Sequence, residues 1–158
     1  MIESFPADLV VPGLLVGPAP TSLNHFQAIR ERGVEALLSL QTEAEAARHG
    51  LLPEVAARVA SSLGMSLDRV PIPDLDPGAL RRLLGAAVMR LDDLLGSGRQ
   101  VYLHCAAGLN RSPTVAAAWI GWRRSLDSLS ACTLVRRARP SAPDVEAVRE
   151  FLSKIRAS

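Results

Sequence analysis

Eleven consecutive residues, His104-Cys105-Ala106-Ala107-Gly108-Leu109-Asn110-Arg111-Ser112-Pro113-Thr114, place a thiol, a guanidinium and a hydroxyl within one turn of chain. The apolar run Gln100–Leu103 before them reads as a buried strand, and Arg111–Arg124 after them as a helix. Cys105 then stands at the carboxyl end of a central strand, where open α/β sheets hold their ligands. Gly108 permits a tight turn, and Arg111 opens the helix. Successive N–H groups of such a loop can converge on an anion, helped by the partial positive charge of the helix start. Thiols beside a helix N-terminus and a cation deprotonate far more readily than free ones, so Cys105 is expected to be a thiolate nucleophile. Arg111 offers a planar fork that matches two oxygens of a phosphate. His104 is expected to hold the loop through backbone hydrogen bonds, and Ser112 to donate to the sulfur and ease its departure. The backbone of Ala106, Ala107, Gly108, Leu109, Asn110 and Arg111 is the expected substrate cradle.

The elements that must position this loop follow from periodicity and punctuation. Leu9–Val11 and Leu14–Gly17, split by Pro12-Gly13, read as two neighbouring short strands. Thr21 or Ser22 can cap a helix through Leu23, Phe26 and Ile29 that stops near Gly33. Val34–Leu40 is a buried strand. Glu43–Arg48 and Glu54–Leu63 are helical, and Met65–Val70 is a weaker strand. Pro71–Gly78 carries three prolines and is read as irregular. Helices are expected over Ala79–Leu95, Leu126–Ala138 and Asp144–Arg156, the last capped by Asp144. Strands alternating with helices give an α/β class: a central, mostly parallel sheet of four to five strands flanked by helices on both faces, in one domain over residues 1–158.

Composition narrows the setting. The 158 residues are 48% hydrophobic and 22% charged, as in folded domains. A net charge of +2 is too balanced to argue for nucleic acid or an anionic membrane. No run reaches membrane-span length, and the N-terminus lacks the order of a secretory signal. Two cysteines make no disulfide framework, which favours a reducing cytoplasm. Lys154 is the only lysine among 18 basic residues, a bias that with heavy Ala and Leu usage points to a high-GC bacterial genome. No metal cluster or cofactor motif is visible, and a monomer is expected. Cys132, at helical spacing with Leu126 and Leu129, is read as a core residue, and Trp119 and Trp122 as packing residues. His25 and His49 are read as surface residues. Asp92-Asp93, and Arg123, Arg124, Arg136, Arg137 and Arg139, are read as solvated charges.

C-x5-R alone is a weak signal in so Arg-rich a chain, but His before the Cys, Gly in the turn and Ser after the Arg make it specific. His104 to Ser112 resembles the HC-x2-G-x2-R-[ST] signature of cysteine-dependent protein tyrosine phosphatases, and Pro113-Thr114 resembles the dual-specificity branch. The resemblance implies a phosphocysteine intermediate, phosphorylated substrates and an Asp on an upstream loop that protonates the leaving oxygen. Pro71-Ile72-Pro73-Asp74-Leu75-Asp76 resembles the acid loop of plant glucan phosphatases and laforin-like proteins, where the first Asp acts. Asp74 is thus the implied acid and Asp76 a helix cap. Leu38–Gln41 is similar to a strand end and turn of those glucan phosphatases, and Arg137–Asp144 to the turn before the last helix of dual-specificity phosphatases, whereas Asn110 departs from the Gly or Ser common there. The same loop would also serve a non-catalytic module that binds phosphorylated partners, or sulfur transfer or arsenate reduction. Asp74 and Ser112 favour ester hydrolysis.

Overall fold

The computed structural model describes residues 4–48 and 51–158. His49 lies outside them. The order is β1 (Asp8–Val11), β2 (Leu14–Gly17), α1 (Leu23–Glu31), β3 (Ala36–Ser39), α2 (Glu43–Arg48), α3 (Pro53–Ser62), β4 (Ser66–Arg69), α4 (Pro77–Gly96), β5 (Val101–His104), α5 (Arg111–Arg124), α6 (Ser128–Ala138) and α7 (Val145–Ala157). The five strands form one sheet in the order β1-β2-β5-β3-β4. β1 and β2 pair antiparallel around the Pro12-Gly13 turn, and every other neighbour is parallel. β5 therefore lies in the middle, with Leu103 opposite Val16 on one side and Leu38 on the other.

Alternation along the strands divides the core into two layers. Leu14, Val16, Ala36, Leu38, Val101 and Leu103 point to the face covered by α4, α5, α6 and α7. Leu15, Leu37 and Tyr102 point to the other, packed by Phe26 and Ile29 of α1 and Ala60 of α3. α5 is buried at almost every position from Arg111 to Gly121, because it runs between the sheet and its neighbouring helices. Small residues permit this: a Cβ on Gly121 would come within 2.9 Å of Leu152.

Element ends differ from the sequence reading where side-chain bonding intervenes. β3 is four residues long, because Val34 and Leu40 fall outside the paired register. Helix α4 starts at Pro77, inside the segment read as irregular; Asp76 accepts from the Ala79 N–H at 3.0 Å and Pro77 suits the first helical position. α6 starts at Ser128 after an Asp127 cap. Ser22 is the cap of α1.

Two charges read as solvated hold elements together. Asp92 on α4 accepts from Trp119 Nε1 at 3.0 Å and from both ends of the Arg123 fork on α5. The Arg123 hydrogen bonds outweigh burial and hold the Asp92 carboxyl below its ordinary range. Arg139 is buried and is taken up below. Cys132 is fully buried in the core, and burial pushes its thiol up to about 11, so it stays protonated at neutral pH. Among the described residues no helix is long and apolar enough to cross a membrane.

The Leu38 side chain is fully enclosed at the sheet centre. Leu38→Ala should cost about 2–5 kcal/mol and lower the thermal midpoint by roughly 10 °C in calorimetry; a shift within about 1 °C would contradict this packing.

Candidate active site

Strand β5 ends at His104, and the chain turns through residues 105–110 into α5. Nearly every carbonyl of that turn is tied to a group behind it. Cys105 O lies 3.0 Å from His104 Nδ1. Ala106 O accepts from the Ala19 N–H at 2.9 Å. Ala107 O and Gly108 O accept from Arg139 Nη2 and Nε at 3.0 and 2.7 Å. Leu109 O accepts from the Ala142 N–H at 2.7 Å, and Asn110 O from the backbone N–H and hydroxyl of Thr114. Peptides are planar and here all trans. A carbonyl held outward therefore turns the next N–H the opposite way, so the N–H groups of residues 106–111 face away from these anchors. A loop so arranged is a concave set of donors, the geometry of an anion nest.

Gly108 cannot be replaced without moving the loop. Its φ is +70°, and a Cβ there would sit 2.5 Å from the Gly17 backbone. The left-handed conformation and the contact with β2 both require a residue without a side chain.

Cys105 and Ser112 meet at this turn, with Sγ 3.3 Å from Oγ and both side chains buried. Arg111 is 2% exposed and makes a two-pronged ion pair with Glu45, 2.7 Å on each prong. Its Nη1 also donates to Ile72 O at 2.8 Å. Burial opposes the Arg111 charge, but the Glu45 hydrogen bonds together with Cys105 and Asp74 keep the guanidinium ionised. Burial likewise opposes the Glu45 charge, and the hydrogen bonds from Arg111 and Thr42 outweigh it, so its carboxyl lies below the ordinary range. Glu45 holds the Nη1–Nη2 edge of the fork. The other edge makes no hydrogen bond: Nε is buried without a hydrogen-bond partner among the described residues, and a carboxylate oxygen of Asp74 stands 3.3 Å from it. That is the donor set a phosphate would meet.

Sequence reasoning missed Glu45. Its local signal was readable as a capping box, Thr42-x-x-Glu45, in which the Thr42 hydroxyl accepts from the Glu45 N–H and Glu45 Oε1 accepts from the Thr42 N–H. Its partner lies 66 residues away in α5, which no local pattern records.

Asp74 and Asp76 are separated by their surroundings. Asp76 is spent on the α4 cap. Asp74 is 44% exposed, and its Oδ1 lies 3.3 Å from Arg111 Nε. Between them Leu75 adopts φ +56° and is almost wholly exposed. His104 is buried and stacked on Tyr102. A carbonyl only accepts, so Nδ1 carries the proton and Nε2 is bare, without a partner among the described residues. His104 also lines a cavity of about 20 Å³ with Ser39, Gln41 and Arg69, room for one water. Asn110 donates from Nδ2 to Ala142 O at 2.9 Å. His25 is half-buried beside the α1 cap, its Nδ1 accepting from the Thr21 N–H. The structure thus gathers Cys105, Ser112, Arg111, Asp74 and His104 at one loop.

The dual specificity phosphatase catalytic-domain model matches residues 27–155, most of the chain. The chain belongs to that family. It is 29% identical to mouse (Mus musculus) laforin over 128 residues, 72% of this chain and 39% of laforin. It is 26% identical over 150 residues to the amyloplastic phosphoglucan phosphatase DSP4 of Castanea sativa, 94% of this chain and 40% of that protein. It therefore spans about two-fifths of the length of these curated relatives. Among solved structures, a mutant form of Tk-PTP matches with a TM-score of 0.77 at 26% identity, covering 96% of this chain and 97% of the other. PTPMT1 in complex with PI(5)P matches with a TM-score of 0.79 at 19% identity over 96% of this chain and 97% of the other, which is a likeness of fold. The α/β architecture and the dual-specificity family expected from the sequence both hold, with Cys105 in place at the loop.

His104 gives a pH dependence whose sign is fixed. Burial lowers its value from the ordinary 6.5 to about 4. Between those values the unfolded chain takes up a proton that the folded one refuses, so stability is present above about 6.5 and is lost as pH falls toward 4. The window corresponds to about 2–4 kcal/mol. His104→Asn retains a donor for Cys105 O and removes the titration. Urea melts from pH 7 to 4 should show a shallower loss in that variant; parallel curves would refute the assignment.

Proposed function

We propose that this domain hydrolyses phosphate monoesters through a phosphocysteine, without a metal. Cys105 Sγ attacks phosphorus and the bond to the leaving oxygen breaks, while Asp74 gives that oxygen its proton. Water then attacks phosphorus, Asp74 takes the water's proton, and the S–P bond breaks to release phosphate and the thiolate. Ser112 Oγ, 3.3 Å away, donates to the sulfur as it leaves. The Nε edge of Arg111 and the amides of residues 106–111 carry the charge on the three equatorial oxygens. His104 positions the loop through the Cys105 carbonyl.

The observation that carries this reading is the loop with its carbonyls turned outward beside an Arg whose Nε edge makes no hydrogen bond and faces Asp74. Asp74 is favoured over Asp76 as the acid because Asp76 is spent on a cap. Phosphorylated proteins, glucans and other monoesters are the substrate class, and the likeness of residues 71–76 to glucan-phosphatase acid loops puts phosphoglucan among the first to test. Both apolar layers share a single sheet, which supports reading residues 1–158 as one catalytic domain. The two cysteines and the Arg-rich composition support a bacterial cytoplasmic setting.

The test is hydrolysis of an aryl phosphate near pH 6 with a chelator present. Wild type should turn over. Cys105→Ser should be inactive. Asp74→Ala should lower kcat by on the order of 10²-fold, the scale of lost general acid–base catalysis, with Asp76→Ala acting mainly on thermal stability by about 1 kcal/mol. Full activity in Cys105→Ser would sink the mechanism. A folded wild-type protein that captures phosphopeptide without turnover would establish a binding module instead.

A further inference from the structure

Arg139 lies outside the signature loop, follows a run of exposed arginines and is itself buried. Four hydrogen bonds use its fork. Nε donates to Gly108 O at 2.7 Å and Nη2 to Ala107 O at 3.0 Å. Nη1 donates to Pro6 O at 2.8 Å and to Asp8 Oδ2 at 2.9 Å. One guanidinium thus joins the start of β1 to two consecutive peptide planes of the anion loop.

We propose that Arg139 is a positioning residue for phosphate binding, with Asp8 as its counter-ion. Holding the Ala107 and Gly108 carbonyls backward directs the Gly108 and Leu109 N–H groups forward, because each carbonyl shares a rigid plane with the following N–H. A Gly-containing turn has little preference of its own between the two orientations of such a plane. Two adjacent carbonyls also repel when brought side by side, and a planar cation with parallel donors is the side chain that can hold both. The loop is therefore fixed before any anion arrives, which is what makes its dipoles effective. The remaining carbonyls have backbone or local anchors. Only these two depend on a distant side chain.

The proposal rests on the loop being an anion cradle, and the test separates the two claims. Tungstate serves as the probe, titrated by calorimetry into the full chain carrying Cys105→Ser, with and without Arg139→Met. Amide spectra of ¹⁵N-labelled protein follow Gly108 and Leu109. Tungstate should bind the Cys105→Ser protein and move both amides. Adding Arg139→Met should weaken binding by about tenfold or more and abolish those two shifts. With Cys105 intact, Arg139→Met should lower kcat by on the order of 10²-fold, more than it raises KM, and Arg139→Lys should restore part of the loss by holding one carbonyl.

A folded Arg139→Met protein with unaltered tungstate affinity and unaltered Gly108 and Leu109 shifts overturns the proposal. If that variant does not fold, Arg139→Gln, which removes the fork but keeps a polar end for the Pro6 carbonyl, is judged by the same two readings. Absence of tungstate binding in the Cys105→Ser protein itself would overturn the cradle reading on which the proposal depends.

Discussion

A loop of six residues must present its amides inward with no bound partner to organise them. Left alone, its peptide planes would turn toward water, so the orientation has to be imposed from behind. The structure does this with Ala19 just after the second strand, the stretch from Arg139 to Ala142 before the last helix, and His104, the strand residue preceding Cys105. Placing the loop at the end of the middle strand brings all three within reach. The sheet order, with β5 between β2 and β3, follows from the same need. Gly108 of the loop is small because the Gly17 backbone approaches it, and Gly17 is small because the Tyr102 hydroxyl and the Pro6–Ala7 backbone close on it from the other side.

Charge is arranged on a similar plan. Arg111 is a buried cation, which is costly unless it is paired and hydrogen-bonded. Glu45 and the Ile72 carbonyl satisfy one edge, and that satisfaction orients the other. The ion pair is a weak argument for stability, since apolar residues could fill the same space at no greater cost. Its value is directional, as it aims a donor pair at one point. Glu45 is itself fixed by the Thr42 capping box, so a short helix of six residues is held in place by its service to the site.

Much of this was readable in the sequence because its signals are local. The strand-loop-helix around Cys105, the caps at Asp76 and Asp144, and the turn at Pro12-Gly13 depend on neighbours within a few residues. The start of α4 at Pro77 was misplaced because three prolines mask a capped first turn. What could not be read depends on partners far along the chain. Glu45 shows a capping box but not its arginine, and Arg139 sits at the end of a basic run with the same composition as its exposed neighbours. Asp92 looked like a helix-face charge until Trp119 and Arg123 were brought to it. A side chain's burial is decided by the fold, and one-dimensional spacing does not carry it.

The segment bearing Asp74 is pinned at both ends. Ile72 is fully buried, donates its N–H to Leu40 O and accepts from Arg111, while Asp76 is locked into the start of α4. Only residues 73–75 lie between the anchors. An extended chain spans about 3.3–3.6 Å per residue, so the carboxylate hangs on a very short leash. Pro73 stiffens one side of it, and Leu75 is bent into the left-handed region on the other. The reach of the Asp74 carboxylate is therefore that of a side-chain swing and not of a swinging flap. Because the Asp74 carboxylate is partly exposed and stands 3.3 Å from Arg111 Nε, an anion that takes that edge displaces it by a turn of one side chain, with the backbone on either side left where it is.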